Sequence, residues 1–181
     1  MIDRRKAREW ALQMIFELDQ NPGQAGSPEA FFDEFWNGQL RLRDEKDVAG
    51  PPGEDVRAFA ERLVRGVVAH RDEIDAKIRA RLRNWSLERV GSLERAVLRL
   101  GVYEIVFSGE NGAAPPSPVV INEAVDLAKY FSTNESGRFV NGILDAVARR
   151  QRDAHSRDPR GRAAAAASAP PADGEVWTPG T

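Results

Sequence analysis

Hydrophobic residues recur along the chain at the three- and four-residue spacing of an amphipathic helix. The first run of this kind lies between residues 4 and 20, and the turn-forming stretch "NPGQAGSP" follows it directly. The pattern therefore predicts a first helix that buries one face and ends near Asn21. Its apolar positions are Ala7, Trp10, Ala11, Met14, Ile15 and Leu18.

Further segments show the same period, and no segment alternates as a β-strand does. Ser27 and Pro28 are the expected N-cap and first residue of a second helix, which carries four aromatic residues. The third and fourth runs are either one helix or two helices bent near "AHRDE". The expectation is an all-α protein of about six or seven helices. The later apolar runs cover residues 56–67, 74–82, 93–107 and 121–131, and the last helix covers about 135–150.

The composition of the chain changes after Arg152. Alanine, proline and glycine replace the apolar period in "DAHSRDPRGRAAAAASAPPADGEVWTPGT", as is typical of disordered segments. We therefore expect one helical domain over residues 1–152 and a disordered tail over residues 153–181.

Composition narrows the possible functions. With 41% apolar and 30% charged residues the chain is typical of globular proteins. Its net charge of −2 gives no global attraction to nucleic acid, so such a partner must meet a local basic patch. The N-terminus lacks the apolar core of a signal peptide, and no run of apolar residues is long enough to span a bilayer. A cytoplasmic protein without a membrane partner is expected.

Candidate catalytic groups are scarce. The chain has no cysteine, which excludes disulfides, thiolate metal sites and cysteine nucleophiles. His70 and His155 are far apart in sequence, and neither a phosphate-binding lysine loop nor a dinucleotide-binding glycine motif is present. We expect no enzyme, no metal and no cofactor.

A basic cluster opens the first helix. Arg4, Arg5, Lys6 and Arg8 lie where the helix dipole disfavours positive charge by ~0.3 to 1 kcal/mol per group. A bound anion such as phosphate would compensate this cost. The alternative is a frayed basic start that only aids solubility.

The last helix contains "GRFVNGILDAV", residues 137–147. One face of it is apolar, whereas Arg138, Asn141 and Gly142 share the other face. A glycine inside a helix costs ~1 kcal/mol against alanine. Phe139, at the edge of the apolar stripe, could stack on an unpaired RNA base. The alternative is that Phe139 belongs to the core and Gly142 permits close helix packing.

Four stretches in this order resemble the bacterial transcription antitermination factor family NusB. They are "RRKAREWALQMIFELD", "RAVLRLGVYEI", "PVVINEAVDLAKYF" and "GRFVNGILDAV", and the resemblance covers roughly residues 3–150. It implies a fold of two small helix bundles and a non-enzymatic role. Family members pair with the ribosomal protein NusE, and the pair binds single-stranded boxA RNA, which helps RNA polymerase pass terminators in ribosomal RNA transcription.

The resemblance also implies an RNA-binding site. Its basic and aromatic residues on the first helix would hold phosphates and neighbouring bases, and the residues before and within FVNG would lie beside the RNA. The residues so assigned are Arg4, Arg5, Lys6, Arg8, Phe16, Glu135, Arg138 and Phe139, with Asn141 as a weaker candidate.

Three alternatives stay open at this point. The family domain also occurs fused ahead of ribosomal RNA cytosine methyltransferases, so an accessory role to such an enzyme is one alternative. A helical scaffold that binds only protein is the second. A homodimer that hides the RNA surface is the third.

Overall fold

The computed structural model describes residues 2–21, 27–41, 52–111 and 114–157. Within these ranges the chain forms seven α-helices, two short 3₁₀ turns and no strand, which confirms the all-α prediction. The helices are α1 (Arg4–Gln20), α2 (Pro28–Arg41), α3 (Glu54–Ala69), α4 (Arg71–Arg79), α5 (Ser92–Val106), α6 (Ser117–Phe131) and α7 (Asn134–Arg157), and the 3₁₀ turns are Leu87–Arg89 and Ser108–Asn111.

Polar side chains fix the starts of three helices. Asp3 precedes α1, and its carboxylate accepts a hydrogen bond of 2.9 Å from the backbone N–H of Lys6. The hydroxyl of Ser27 accepts one of 3.2 Å from the N–H of Ala30, as the predicted N-cap requires. Thr133 does the same for α7. Each of these caps satisfies an N–H group that has no partner within its helix.

Helices α3 and α4 are separate. His70 ends one and begins the other, with φ −106° and ψ 16°, outside the helical region. The imidazole ring of His70 stacks on Phe107 with a centroid distance of 4.2 Å. The bend predicted near "AHRDE" is therefore a real break between two helices.

Two small bundles share one hydrophobic core, as predicted. In the first, α1 packs on α3, and the α2 aromatic residues Phe35 and Trp36 pack edge-on against Trp10 of α1. In the second, α5 is the central helix and contacts α4 and α6. Helix α7 approaches α5 closely where Leu144 packs over Gly101. Because α5 also contacts α1 and α3, it joins the two bundles.

A buried ionic cluster centred on Asp19 connects the end of α1 to α4 and α5. The carboxylate accepts hydrogen bonds from Arg71 at 2.9 Å, Arg95 at 2.8 Å and Arg99 at 2.7 Å. Arg99 also donates to both carboxylate oxygens of Asp75. Burial alone would raise the pKa of the Asp19 carboxyl, but the hydrogen bonds from Arg99 and Arg95 outweigh it, so that this pKa lies below its ordinary value.

Helix α7 is longer than predicted. It continues from Asn134 through Arg157, whereas the sequence pattern predicts a helix ending near residue 150 and a tail beginning at 153. The helical spacing of apolar residues ends before α7 does. The last turns of α7 carry mostly polar residues, so an apolar pattern could not predict them. Residues 158–181 lie outside the described ranges, so the disordered tail stays a prediction. No helix in the described part of the chain is long and apolar enough to cross a membrane.

Candidate nucleic-acid interface

Three cations lie exposed in the first turn of α1. They are Arg4, Arg5 and Lys6. The Arg5 side chain is 52% exposed, and its guanidinium lies 3.7 Å from the Asp126 carboxylate on α6. The Lys6 ammonium donates to Glu9 at 2.8 Å. Exposed pairs of this kind are weak, so these cations can exchange their partners for phosphate oxygens at little cost.

Arg8 does not lie on this surface, contrary to its assignment with the other three cations. Only 5% of the residue is exposed, and its guanidinium makes a bidentate pair with Glu104 of α5, with N–O distances of 2.8–3.1 Å. Burial alone would lower the pKa of the guanidinium, but Glu104 raises it, so Arg8 remains charged. Its position one turn before Leu12, on the buried face of α1, is the signal in the sequence that indicates this burial.

The start of α7 presents a second exposed group. Arg138, Asn141 and Gly142 are all exposed, and 38% of Phe139 is exposed. Phe139 is therefore an edge residue and not a buried core residue. This leaves part of its ring available to a stacking partner.

Glu94 of α5 holds the start of α7 in place. Its carboxylate accepts hydrogen bonds from the hydroxyls of Ser136 at 2.6 Å and Ser132 at 2.9 Å. Burial would raise the pKa of Glu94, but the bond from Ser136, its own backbone N–H and the bond from Ser132 lower it below the ordinary value. A fixed anion thus orients the turn between α6 and α7.

Gly142 is not used for helix packing. A Cβ atom built at this residue meets no other atom within 4 Å. At Gly137, one turn earlier, a Cβ would lie 2.7 Å from Cγ of Lys129 on α6. Gly137 therefore permits the close approach of α6 and α7, and the packing explanation for Gly142 is wrong.

Helix α6 contacts the starts of both α1 and α7. Asp126 faces Arg5 of α1, and Lys129, three residues later, packs on Gly137 of α7. Three residues along a helix span ~4.5 Å. The starts of α1 and α7 therefore both contact the same turn of α6, although more than a hundred residues separate them in sequence.

A groove beside Phe139 contains residues that the sequence does not single out. It has a volume of about 600 Å³, and we call it the Trp85 groove. Trp85 is 64% exposed and follows Asn84, whose positive φ of 60° turns the chain outward. The residues that line the groove include the arginines Arg81, Arg83 and Arg89, the carboxylates Glu94 and Glu135, and Trp85, Val90, Phe139 and Ile143.

Phe16 lies in a different groove, also of about 600 Å³, which we call the Phe16 groove. Ten residues of helix, ~15 Å, separate Phe16 from Lys6. The structure therefore does not bring Phe16 together with the basic start of α1. The hydrophobic residues that line the Phe16 groove are Leu12, Phe16, Phe35, Leu93 and Phe131.

These features define a class of protein: a small two-bundle helical protein with exposed cations at the starts of two helices and an exposed aromatic edge at one of them, a pattern that suits nucleic-acid binding. The family model of the NusB family matches residues 5–149. The chain belongs to the NusB family.

Relatives named NusB align with this chain over most of their length. The transcription antitermination protein NusB of Symbiobacterium thermophilum is 44% identical over 161 residues, which cover 87% of this chain and 96% of that protein. The protein of the same name from Syntrophotalea carbinolica is 42% identical over 154 residues, covering 81% of this chain and 92% of the relative. Because these relatives are named for transcription antitermination, the prediction of a non-enzymatic protein is confirmed.

Solved structures share the fold. NusB of T. maritima superposes with a TM-score of 0.64 at 31% identity, covering 82% of this chain and 93% of that chain. A crystal structure of the antitermination factors NusB and NusE in complex with double-stranded RNA contains a chain with a TM-score of 0.63 and 29% identity, covering 81% of this chain and 96% of that chain.

Proposed function

We propose that the protein is a transcription antitermination factor that binds boxA-type single-stranded RNA together with the ribosomal protein NusE. In this role it acts in the cytoplasm, within the antitermination complex of RNA polymerase, and supports ribosomal RNA transcription. The observation that carries the proposal is that two helix starts contact the same turn of α6, one with the exposed Arg5 and the other with the exposed Arg138 and Phe139.

The chemistry of these two groups suits single-stranded RNA. Guanidinium and ammonium groups bind phosphate, and an exposed aromatic edge can stack on an unpaired base. The family relationship supports binding to RNA and NusE, since a related NusB was solved together with NusE and double-stranded RNA. Glu135 and Asn141, both exposed on α7, would then contact base edges.

The Phe16 groove suits a protein partner better than RNA. Its hydrophobic residues outnumber its charged ones, and it contains no arginine or lysine to hold phosphate. It borders the Trp85 groove at the start of α5, since Leu93 lines one groove and Glu94 the other. A NusE molecule seated over Phe16 therefore reaches the edge of the surface around Phe139, so that RNA can contact both proteins.

The test is fluorescence anisotropy of a labelled single-stranded boxA RNA titrated with the protein, alone and with NusE from the same organism. A scrambled RNA and a boxA duplex are the controls, and each titration is repeated at two salt concentrations. We expect tighter and sequence-selective binding when NusE is present, and weaker binding at higher salt.

Other outcomes lead to different functions. Binding of NusE without selective RNA binding would leave a protein-only scaffold. Selective binding to structured ribosomal RNA instead of boxA would favour the accessory role to a ribosomal RNA methyltransferase. Sedimentation across a concentration range tests the homodimer, and RNA that shifts a dimer to monomers would indicate that the dimer hides the RNA surface.

A further inference from the structure

Gly142 has no structural reason to be a glycine. Glycine weakens a helix because it loses more conformational freedom on folding than any other residue. Three other helical glycines are explained by close contacts within the protein. A Cβ at Gly66 would overlap the ring of Tyr103, and one at Gly101 or Gly137 would lie 2.7 Å from a side-chain carbon of Leu144 or Lys129.

Gly142 differs from these three glycines because the space above it is open, as it also is at Gly38 of α2. Nothing lies within 4 Å of a Cβ built there, and the residue is exposed although it is in the middle of α7. The bare backbone of one helical turn is thus accessible from solvent. At other positions of an α-helix the side chains cover the backbone. Because Gly142 has no Cβ, a partner atom can approach the helix axis about one carbon closer there.

The surroundings of this flat place are polar and carry both signs of charge, since Asp145 lies three residues after Gly142 on the same face. Arg138 lies one turn before Gly142 on the same face, and Asn141 is its neighbour along the chain. Both side chains are exposed and extend beyond the glycine, and Phe139 presents its edge beside them. A ligand resting on Gly142 would thus have the guanidinium and the amide on one side and the Phe139 ring on the other.

We propose that Gly142 is the point of closest approach of the RNA, where the ribose-phosphate backbone of one nucleotide rests directly against α7. Arg138 and Asn141 then hold the adjoining phosphate and base from one side. This inference rests on the proposed RNA binding and adds to it a steric requirement: position 142 admits no side chain while RNA is bound. Among macromolecular ligands, RNA is favoured over protein because the exposed groups around Gly142 include a cation and an amide, with the edge of one aromatic ring and no hydrophobic cluster.

The chain offers a matched control for the test. Gly38 also lies in a helix, α2, with nothing within 4 Å of a Cβ built there, and it belongs to none of the surfaces assigned to RNA. Gly142→Ala and Gly38→Ala should both raise Tm, by ~2–4 °C for a chain of this size if each removes the full glycine penalty. Both variants should keep the helical circular dichroism of the parent.

RNA binding should separate the two variants. We expect Gly142→Ala to raise the Kd for boxA RNA by about tenfold, measured by anisotropy with NusE present, and Gly38→Ala to leave it unchanged. An unchanged Kd for Gly142→Ala, while the parent protein binds RNA, would overturn the inference and leave the proposed function intact. An unchanged RNA affinity with a weakened NusE affinity would assign Gly142 to the protein partner instead.

A failure of the proposed RNA binding would already be seen in the parent protein. If the parent protein binds no RNA, alone or with NusE, then the proposed function fails, and with it the inference about Gly142. The Tm measurements would still report whether the glycine is costly to the fold.

Discussion

At Phe139 the contribution of a side chain to RNA binding can be measured separately from its contribution to folding stability. Since 38% of it is exposed, Phe139→Ala should lower the free energy of unfolding by less than the ~3–5 kcal/mol typical of a buried phenylalanine. If the ring stacks on a base, RNA affinity should fall by about 1–3 kcal/mol. Urea denaturation and anisotropy measure the two effects.

Phe16→Ala is the matched control for this prediction. Phe16 is 39% exposed, almost the same as Phe139, but it lies in the Phe16 groove. We expect this variant to bind RNA normally in the absence of NusE and to bind NusE more weakly. A loss of RNA affinity without NusE would instead return Phe16 to the RNA surface, as the resemblance implies.

Truncation of two arginines of α1 should have different effects. Loss of Arg8 should lower the stability of the fold, whereas loss of Arg5 should lower RNA affinity. Arg8→Ala leaves Glu104 buried without its partner and should lower the free energy of unfolding by about 3–5 kcal/mol. Arg5→Ala removes only exposed ion pairs, so its effect on stability should be within ~1 kcal/mol, whereas RNA affinity should fall. Chemical denaturation of both variants, with RNA binding of Arg5→Ala, checks this.

A double variant provides the control for Arg8. Replacing Arg8 by Met together with Glu104 by Leu removes both charges at once, and should recover much of the stability lost in Arg8→Ala. Recovery would show that the unpaired Glu104 causes the loss. If Arg8→Ala is as stable as the parent but binds RNA poorly, then Arg8 contributes to RNA binding and the Arg8–Glu104 pair does not stabilise the fold.

At the scale of elements, the sequence pattern predicts most of the helices but only part of the site. The bounds of α1 follow directly from apolar spacing and the turn after Gln20, and the Ser27 cap follows from its position before Pro28. These features depend on neighbours within a few residues. The Arg8–Glu104 pair and the contact of Arg5 with the turn of α6 that also meets α7 depend on contacts about a hundred residues apart, which periodicity does not report.

The cluster around Asp19 should make the packing of α1 on α4 and α5 sensitive to acid. The pKa of Asp19 is lowered in the folded protein, so its contribution to stability is complete above the ordinary carboxyl pKa. That contribution is lost as the pH falls through the lowered value. We expect Asp19→Asn to be less stable than the parent at pH 7, and the difference to shrink between about pH 5 and pH 2.

Urea denaturation at several pH values measures this difference. The control is Asp126→Asn, whose carboxylate is half exposed and pairs with the exposed Arg5, so its stability should differ little from the parent over the same pH range. A constant gap between Asp19→Asn and the parent over the acidic range would indicate that Asp19 stabilises through packing and not through its charge.

At the scale of the whole molecule, the protein is slightly acidic, with a net charge of −2. Attraction to RNA must therefore come from the few cations on the proposed surface. If Arg4, Arg5, Lys6 and Arg138 each neutralise one phosphate, the logarithm of the binding constant should fall with the logarithm of salt concentration with a slope of about −3. Anisotropy over a salt series measures the slope, and one near zero would contradict phosphate binding here.

The pair between Arg8 and Glu104 has a consequence for the timing of biosynthesis. Its two residues are 96 positions apart, and Arg95 and Arg99, which hold Asp19, also belong to α5. At ~5–20 residues per second, a ribosome needs about 5 to 20 s to extend the chain from Arg8 to Glu104. During that interval the buried guanidinium of Arg8 lacks its carboxylate partner, whereas Asp19 can already pair with Arg71 of α4 once that residue has been made. A nascent or prematurely terminated chain that lacks α5 therefore has an exposed basic N-terminus but no folded RNA surface. Specific RNA binding begins only after α7 has been synthesised.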